Sequence, residues 1–136
     1  MNLVEIIKQD YAQFPQNQTY SIYAEDVYFE DPFNKFVGKG RYQKMISFLG
    51  KFFNDIDLQL HSINEREQLI VTEWTLRMTA PLPWQPRLAI PGWSELAVNT
   101  EGLIISHCDR WKISPWQLLQ QNFTFSSKDN ESIKKH

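Results

Sequence analysis

Apolar residues recur along this chain with two different periods, and the change between them falls near Asp57. Before it the spacing is helical. Leu3, Ile7, Tyr11 and Phe14 share one stripe and Pro15 closes the element. The stretch "TYSIYAED", residues 19–26, predicts a second short helix with Thr19 as its N-cap. In "GRYQKMISFLGKFF" a stripe of Tyr42, Met45 or Ile46, Leu49 and Phe53 predicts the longest helix.

After Asp57 the period is that of strands. "DLQLHSI" and "LIVTEWTLRM" alternate on either side of the polar turn "NEREQ". "WSELAV" and "LIISHCDRWKI" form a second pair across "NTEG", where Gly102 suits a turn that needs positive φ. The connection "TAPLPWQPRLAIPG" is too rich in proline for a central strand and reads as a bent link or an edge. Ser114 and Pro115 then read as N-cap and first position of a short closing helix, "PWQLLQQNF". Helices followed by antiparallel strands make an α+β layout in which a curved sheet wraps its apolar face around the helices.

Composition narrows the classes of function. At 136 residues, 42% hydrophobic, the chain fits a single domain with a sizeable core. A net charge of −2 argues against nucleic-acid binding, which needs a basic stripe. Cys108 is the sole cysteine, so no internal disulfide exists and a reducing, cytoplasmic compartment is expected. The start has acids and a lysine among its apolar residues, unlike a secretion signal, and no stretch is long and apolar enough to span a bilayer; no membrane partner is expected. Residues 126–136, "SSKDNESIKKH", are polar without periodicity and read as a disordered tail after a domain over residues 1–125.

The segments "YAEDVYFEDPF", "GKGRYQKMISFL" and "NTEGLIISHCDRW" together resemble the nuclear-transport-factor-2-like superfamily, which includes ketosteroid isomerases and SnoaL-like polyketide cyclases. "TAPLPWQPRLAIPGWSEL" and "HCDRWKISPWQLL" look like a branch of unknown function from cyanobacteria and plant plastids. The resemblance implies a cystatin-like cone: N-terminal helices packed on a curved antiparallel sheet of about four main strands, a short C-terminal helix, and a pocket inside. Relatives often dimerise through the sheet, so a homodimer is expected. In the isomerases the aspartate of the matching "EDP" is the base, a position held here by Asp31. The second acid's place falls on Ser94, a departure that counts against steroid isomerisation, and the donor tyrosine's place is assigned to Tyr11. This fold hosts enzymes, binding proteins and dimerisation modules alike.

Two readings of Asp31 stay open: a pocket-facing acid, or a turn residue whose carboxylate bonds backbone amides after it. On the strand "ISHCDRW", Ile105, His107, Asp109 and Trp111 share one face, which the resemblance turns into the cone. A buried imidazole and carboxylate must find partners or lose about 1–3 kcal/mol per unsatisfied group. The sharp reading is a polar cluster of Asp31, His107 and Asp109 in a pocket walled by Trp74 and Trp111, with His107 suited to proton transfer near neutral pH. The alternatives are a structural Asp–His pair, or a reversed face at a dimer contact.

No metal or cofactor site is expected: His107 and Asp109 supply two ligands and no third can be placed. Ser106 points away from His107, which excludes a hydrolase built on that pair. Trp84 and Trp93, in the proline-rich connection, either fold over the pocket mouth, cover a sheet edge, or stand exposed as an interaction patch. The leading expectation is a pocket protein for an apolar, partly polar small molecule, with Tyr11, Trp74, Ser94 and Trp111 contacting the ligand and Asp31, His107 and Asp109 carrying any acid–base chemistry. A non-catalytic interaction or dimerisation module is the alternative.

Overall fold

A computed structural model describes residues 1–118 and 120. Leu119, the end of the closing helix and of the proposed domain from residue 121, and the polar tail at 126–136 lie outside the described residues. Helix α1 spans Leu3–Gln13, and Asn2 caps it. The Asn2 side chain accepts from Glu5 N–H at 2.9 Å while its amide donates back to the Glu5 carboxylate at 3.1 Å, so both ends of the first turn are satisfied. A 3₁₀ turn at Tyr20–Ile22 leads into β1, Tyr23–Glu30, followed by β2, Lys35–Val37, and helix α2, Lys39–Phe52. Gly38 begins α2 at φ 125°, a value that side chains disfavour. The remaining strands are β3 (Asn54–Arg66), β4 (Leu69–Thr79), β5 (Arg87–Val98) and β6 (Ile104–Trp111).

The strands form one sheet in the order β2-β1-β6-β5-β4-β3, six rather than about four. All neighbours are antiparallel except β1 and β6, which run parallel. Of the two extra strands, β1 begins in the segment expected to be helical and β2 falls in the stretch after Asp31 expected to be a loop. In β1, Ala24, Val27 and Phe29 are buried, but Glu25 and Asp26 interrupt the alternation where the register against β6 shifts. That bulge hides the strand period, and pairing with β6, some eighty residues away, overrides local preference. Thr19 does not cap a helix; its hydroxyl and amide both donate to the Asp10 carboxylate, at 2.8 and 3.0 Å.

The proline-rich connection also differs from expectation. Its second half extends the strand read from "WSELAV": β5 starts at Arg87, pairs with β4 along its length and with β6 from Gly92 onward, and Trp93 lies within it. Pro91 is tolerated because its carbonyl faces the end of β6, accepting from Lys112 N–H at 2.8 Å; the hydrogen it lacks falls where the β6 ladder has run out. Ile105 leaves the face of His107: the register slips between Ala97 and Val98, Ile104 becomes fully buried and Ile105 is pushed outward. At the described start of the closing helix, Ser114 and Gln117 cap reciprocally, at 3.0 and 2.7 Å.

α1 packs Ile7 against Ile70, Leu96 and Ile104 of the sheet, and α2 packs Tyr42 and Ile46 on Phe29. Between the helices and the concave face of the sheet the packing is incomplete. Among the described residues no helix is long and apolar enough to cross a membrane.

Candidate functional site

The gap between sheet and helices is a cavity of about 810 Å³. Its wall is mostly apolar: Leu58, Leu76 and Ile90 from the sheet, Met45 and Leu49 from α2, Phe14 after α1. Its floor is polar, because β4, β5 and β6 each place one hydrogen-bonding side chain on the concave face at neighbouring register positions. Ser94 on β5 stands opposite both Thr72 of β4 and Asp109 of β6.

A continuous chain of contacts crosses this floor. Trp74 Nε1–H donates to Ser94 Oγ at 2.8 Å, and Ser94 donates to Asp109 Oδ1 at 2.5 Å. His107 Nε2 lies 2.7 Å from the same oxygen. A carboxylate can only accept, so Nε2 carries a proton, and Nδ1 faces the Tyr23 hydroxyl at 3.4 Å. Tyr42 OH then lies 3.3 Å from Tyr23 OH. The Tyr11 hydroxyl pairs with Thr72 Oγ1 at 2.8 Å. Gly92 makes room for this arrangement: a Cβ there would collide with the Arg110 carbonyl and sit 2.8 Å from Cη2 of Trp74. The indole lies over that bare backbone, which brings its N–H to Ser94.

The hydroxyls of the floor stay protonated. Burial pushes Tyr11 up to about 12, helped by the negative charge of Asp109 and opposed by hydrogen bonds from Thr72 and Ser94. Burial likewise holds Tyr23 and Tyr42 well above the ordinary 10. The rings of Tyr23, Phe29 and Tyr42 surround the His107 imidazole at centroid distances of 5.1–6.1 Å. Asp109 Oδ1 takes both hydrogen bonds, while Oδ2 has no partner among the described residues. The His107 side chain is 7% exposed and that of Asp109 21%.

His107, Asp109, Ser94 and Trp74 are thus joined directly, with Tyr11 and Trp111 also on the cavity wall. Asp31 sits at the rim. Its Oδ1 accepts from the amides of Phe33 at 2.8 Å and Asn34 at 2.6 Å, and the Asn34 side chain donates to both its oxygens. Among the described residues it makes no hydrogen bond to His107 or Asp109. Asp10, another acid on the wall, is committed to Thr19. Tyr23, Tyr42 and Thr72 join the floor without having been singled out from the sequence. Their signal was available, since buried tyrosines seek partners for their hydroxyls. Ser94 donates to the carboxylate and not to the imidazole, which is not the order of a nucleophile and its base. No three His, Cys, Asp or Glu side chains among the described residues converge to hold a metal ion.

A family model described as an uncharacterized conserved protein, DUF2358, matches residues 1–107, from the start of the chain to His107. The chain belongs to this family. No curated protein matches it. Solved structures show the same fold at low identity. A hypothetical protein with a ketosteroid isomerase-like fold from Catenulispora acidiphila, in complex with trimethylamine, is 15% identical; the match covers 90% of this chain and 94% of that one, with a TM-score of 0.70. A candidate SnoaL-like polyketide cyclase from Shewanella denitrificans is 14% identical over 89% and 96%, also at 0.70. An LEH-like epoxide hydrolase of M. tuberculosis is 15% identical over 89% and 86%, at 0.67. This DUF2358 member therefore has the nuclear-transport-factor-2-like cone fold.

Proposed function

We propose that this protein binds an apolar small molecule carrying one hydrogen-bond donor or amine, with the donor seated on Asp109. The observation that carries the reading is Oδ2 of Asp109, without a partner among the described residues on the floor of a cavity of about 810 Å³ whose wall is mostly apolar, with further charged groups at its rim. A carboxylate held in apolar surroundings without a strong cationic partner is costly, and a ligand that donates to it recovers that cost. The aromatic rings near His107 suit a cationic head as well as a neutral one. The trimethylamine held by the Catenulispora protein is consistent with such a head in this fold.

Tyr11, Trp74, Ser94 and Trp111 contact the ligand in this reading, and His107 and Asp109 carry any proton transfer, the imidazole being oriented by the carboxylate. Asp31 contributes from the rim, where turn amides hold its carboxylate. The domain runs over residues 1–125, belongs to a cyanobacterial and plastid lineage on the strength of its proline- and tryptophan-rich segments, and works in the reducing cytoplasm that a lone Cys108 fits. A homodimer would use the outer face of the sheet, where Trp93 and Glu95 lie. The interaction-module reading draws on Trp84, half exposed in the β4–β5 connection.

The test compares two probes of like shape, 1-naphthylmethylamine and 1-ethylnaphthalene, by isothermal titration and quenching of tryptophan fluorescence. The amine should bind about tenfold tighter, and Asp109→Asn should erase the difference while keeping the fold, since an amide oxygen still accepts from Ser94 and His107. Equal affinities in the wild type would refute the assigned role of Asp109.

A further inference from the structure

The cavity rim has a composition unlike the rest of the chain. Residues 32–53 hold five of the fourteen basic residues and none of the sixteen acidic ones. Lys39 is paired with Glu25, and Lys51 lies 5.6 Å from the centre of the Phe52 ring. Arg41 and Lys44 have no ion-pair partner among the described residues, and both line the opening beside Phe33 and Phe48. Positions 41, 44, 48 and 52 recur at helical spacing and share one face of α2. Large apolar side chains stand in water there: Phe33 is 66% exposed, Phe48 54% and Phe52 45%, with the last two rings in contact at 4.6 Å.

We propose that this rim is a docking surface for an anionic membrane, through which an apolar molecule passes between bilayer and cavity. Exposed aromatics beside unpaired cations suit the boundary between headgroups and acyl chains, where rings enter the apolar layer and ammonium or guanidinium groups stay with phosphates. Charge argues against a second copy as the occupant, because a symmetric contact through this face would set Arg41 and Lys44 against their own counterparts. Contact with a surface needs no spanning segment, so the lack of one does not oppose it. A direct path from bilayer to cavity also spares an apolar ligand from crossing water.

The full chain is tested by co-sedimentation with vesicles of equal parts phosphatidylcholine and phosphatidylserine, against vesicles of phosphatidylcholine alone. The protein should pellet with the anionic vesicles and be released by about 0.5 M salt. Arg41→Gln with Lys44→Gln should weaken partitioning about 30-fold, and Phe48→Ser with Phe52→Ser about tenfold. Arg41→Lys, which keeps the charge, should bind like the wild type. Wild-type protein that pellets no better with anionic than with neutral vesicles overturns the proposal. So does a solution dimer that Phe48→Ser with Phe52→Ser abolishes, which would give the rim to a second copy.

Discussion

Strand β6 carries charged networks on both faces, and they are built differently. On the outer face Arg110 donates to Glu30 at 2.7 Å and lies 3.7 Å from Glu95, while Tyr28 donates to Glu30 at 2.6 Å. Cation and acids stand together near solvent. The bond from Tyr28, then that from Arg110, holds the Glu30 carboxyl below its ordinary 4.5. On the inner face Asp109 has an imidazole, a serine and no Lys or Arg partner among the described residues. The two carboxylates are about equally exposed, 23% for the Glu30 side chain and 21% for that of Asp109, so the difference lies in pairing: Glu30 has a cation and Asp109 does not. Under the proposed function, a ligand that donates to Asp109 Oδ2 would supply the partner that the inner network lacks.

Four variants and one titration break or sharpen this contrast. The largest effect should come from Gly92→Val, which forces Trp74 off β5 and clashes with the Arg110 backbone; about 3 kcal/mol should be lost in urea unfolding, with a changed tryptophan emission. Next, Asp109→Ala should cost about 2 kcal/mol, because it strands the His107 N–H and the Ser94 hydroxyl together. A cost near zero would mean that water satisfies the floor without the carboxylate.

The tyrosines of both faces respond to pH in the same direction, Tyr28 through its bond to Glu30 and Tyr11 through burial. All five have hydroxyls raised above their ordinary 10. A group so raised contributes stability below pH 10 and loses it as pH climbs through the folded value. Ultraviolet titration should thus show little tyrosinate near pH 10, then a rise with unfolding, and Tyr23→Phe with Tyr42→Phe should reduce that steep final step. Substantial ionisation at pH 10 in folded protein would contradict the buried floor. Smallest of all, Arg110→Ala should barely move the unfolding midpoint at pH 7. Glu30 titrates below its unfolded value, so its contribution is present above pH 4.5 and fades as pH falls; Arg110→Ala should shrink that acid loss.

Much of the architecture was legible in the residues. The stripes of α1 and α2 and the alternation of β3, β4 and β6 follow from burial on one face, which the sequence records directly. β1 was illegible because its bulge at Glu25–Asp26 breaks the period and its partner is distant. The end of β5, "WSELAV", was read as a strand, but Arg87–Gly92 was not, because the reason Pro91 is tolerated, a neighbour that has already ended, belongs to the sheet and not to the segment. The floor shows the same division. Alternation alone sets His107, Asp109 and Trp111 on one side, whereas Tyr23 and Tyr42 reach them only through the parallel β1–β6 pairing and the seating of α2. The two readings of Asp31 could not be separated by sequence, because acceptance of the Phe33 and Asn34 amides depends on how the loop closes.

Native mass spectrometry of gently purified full-length protein tests the central claim most directly. The account predicts a species heavier than the bare chain by one small organic molecule, released on collisional heating and absent from Asp109→Asn. Bare-chain mass alone in wild-type and variant preparations, or a bound molecule that Asp109→Asn retains undiminished, would contradict it.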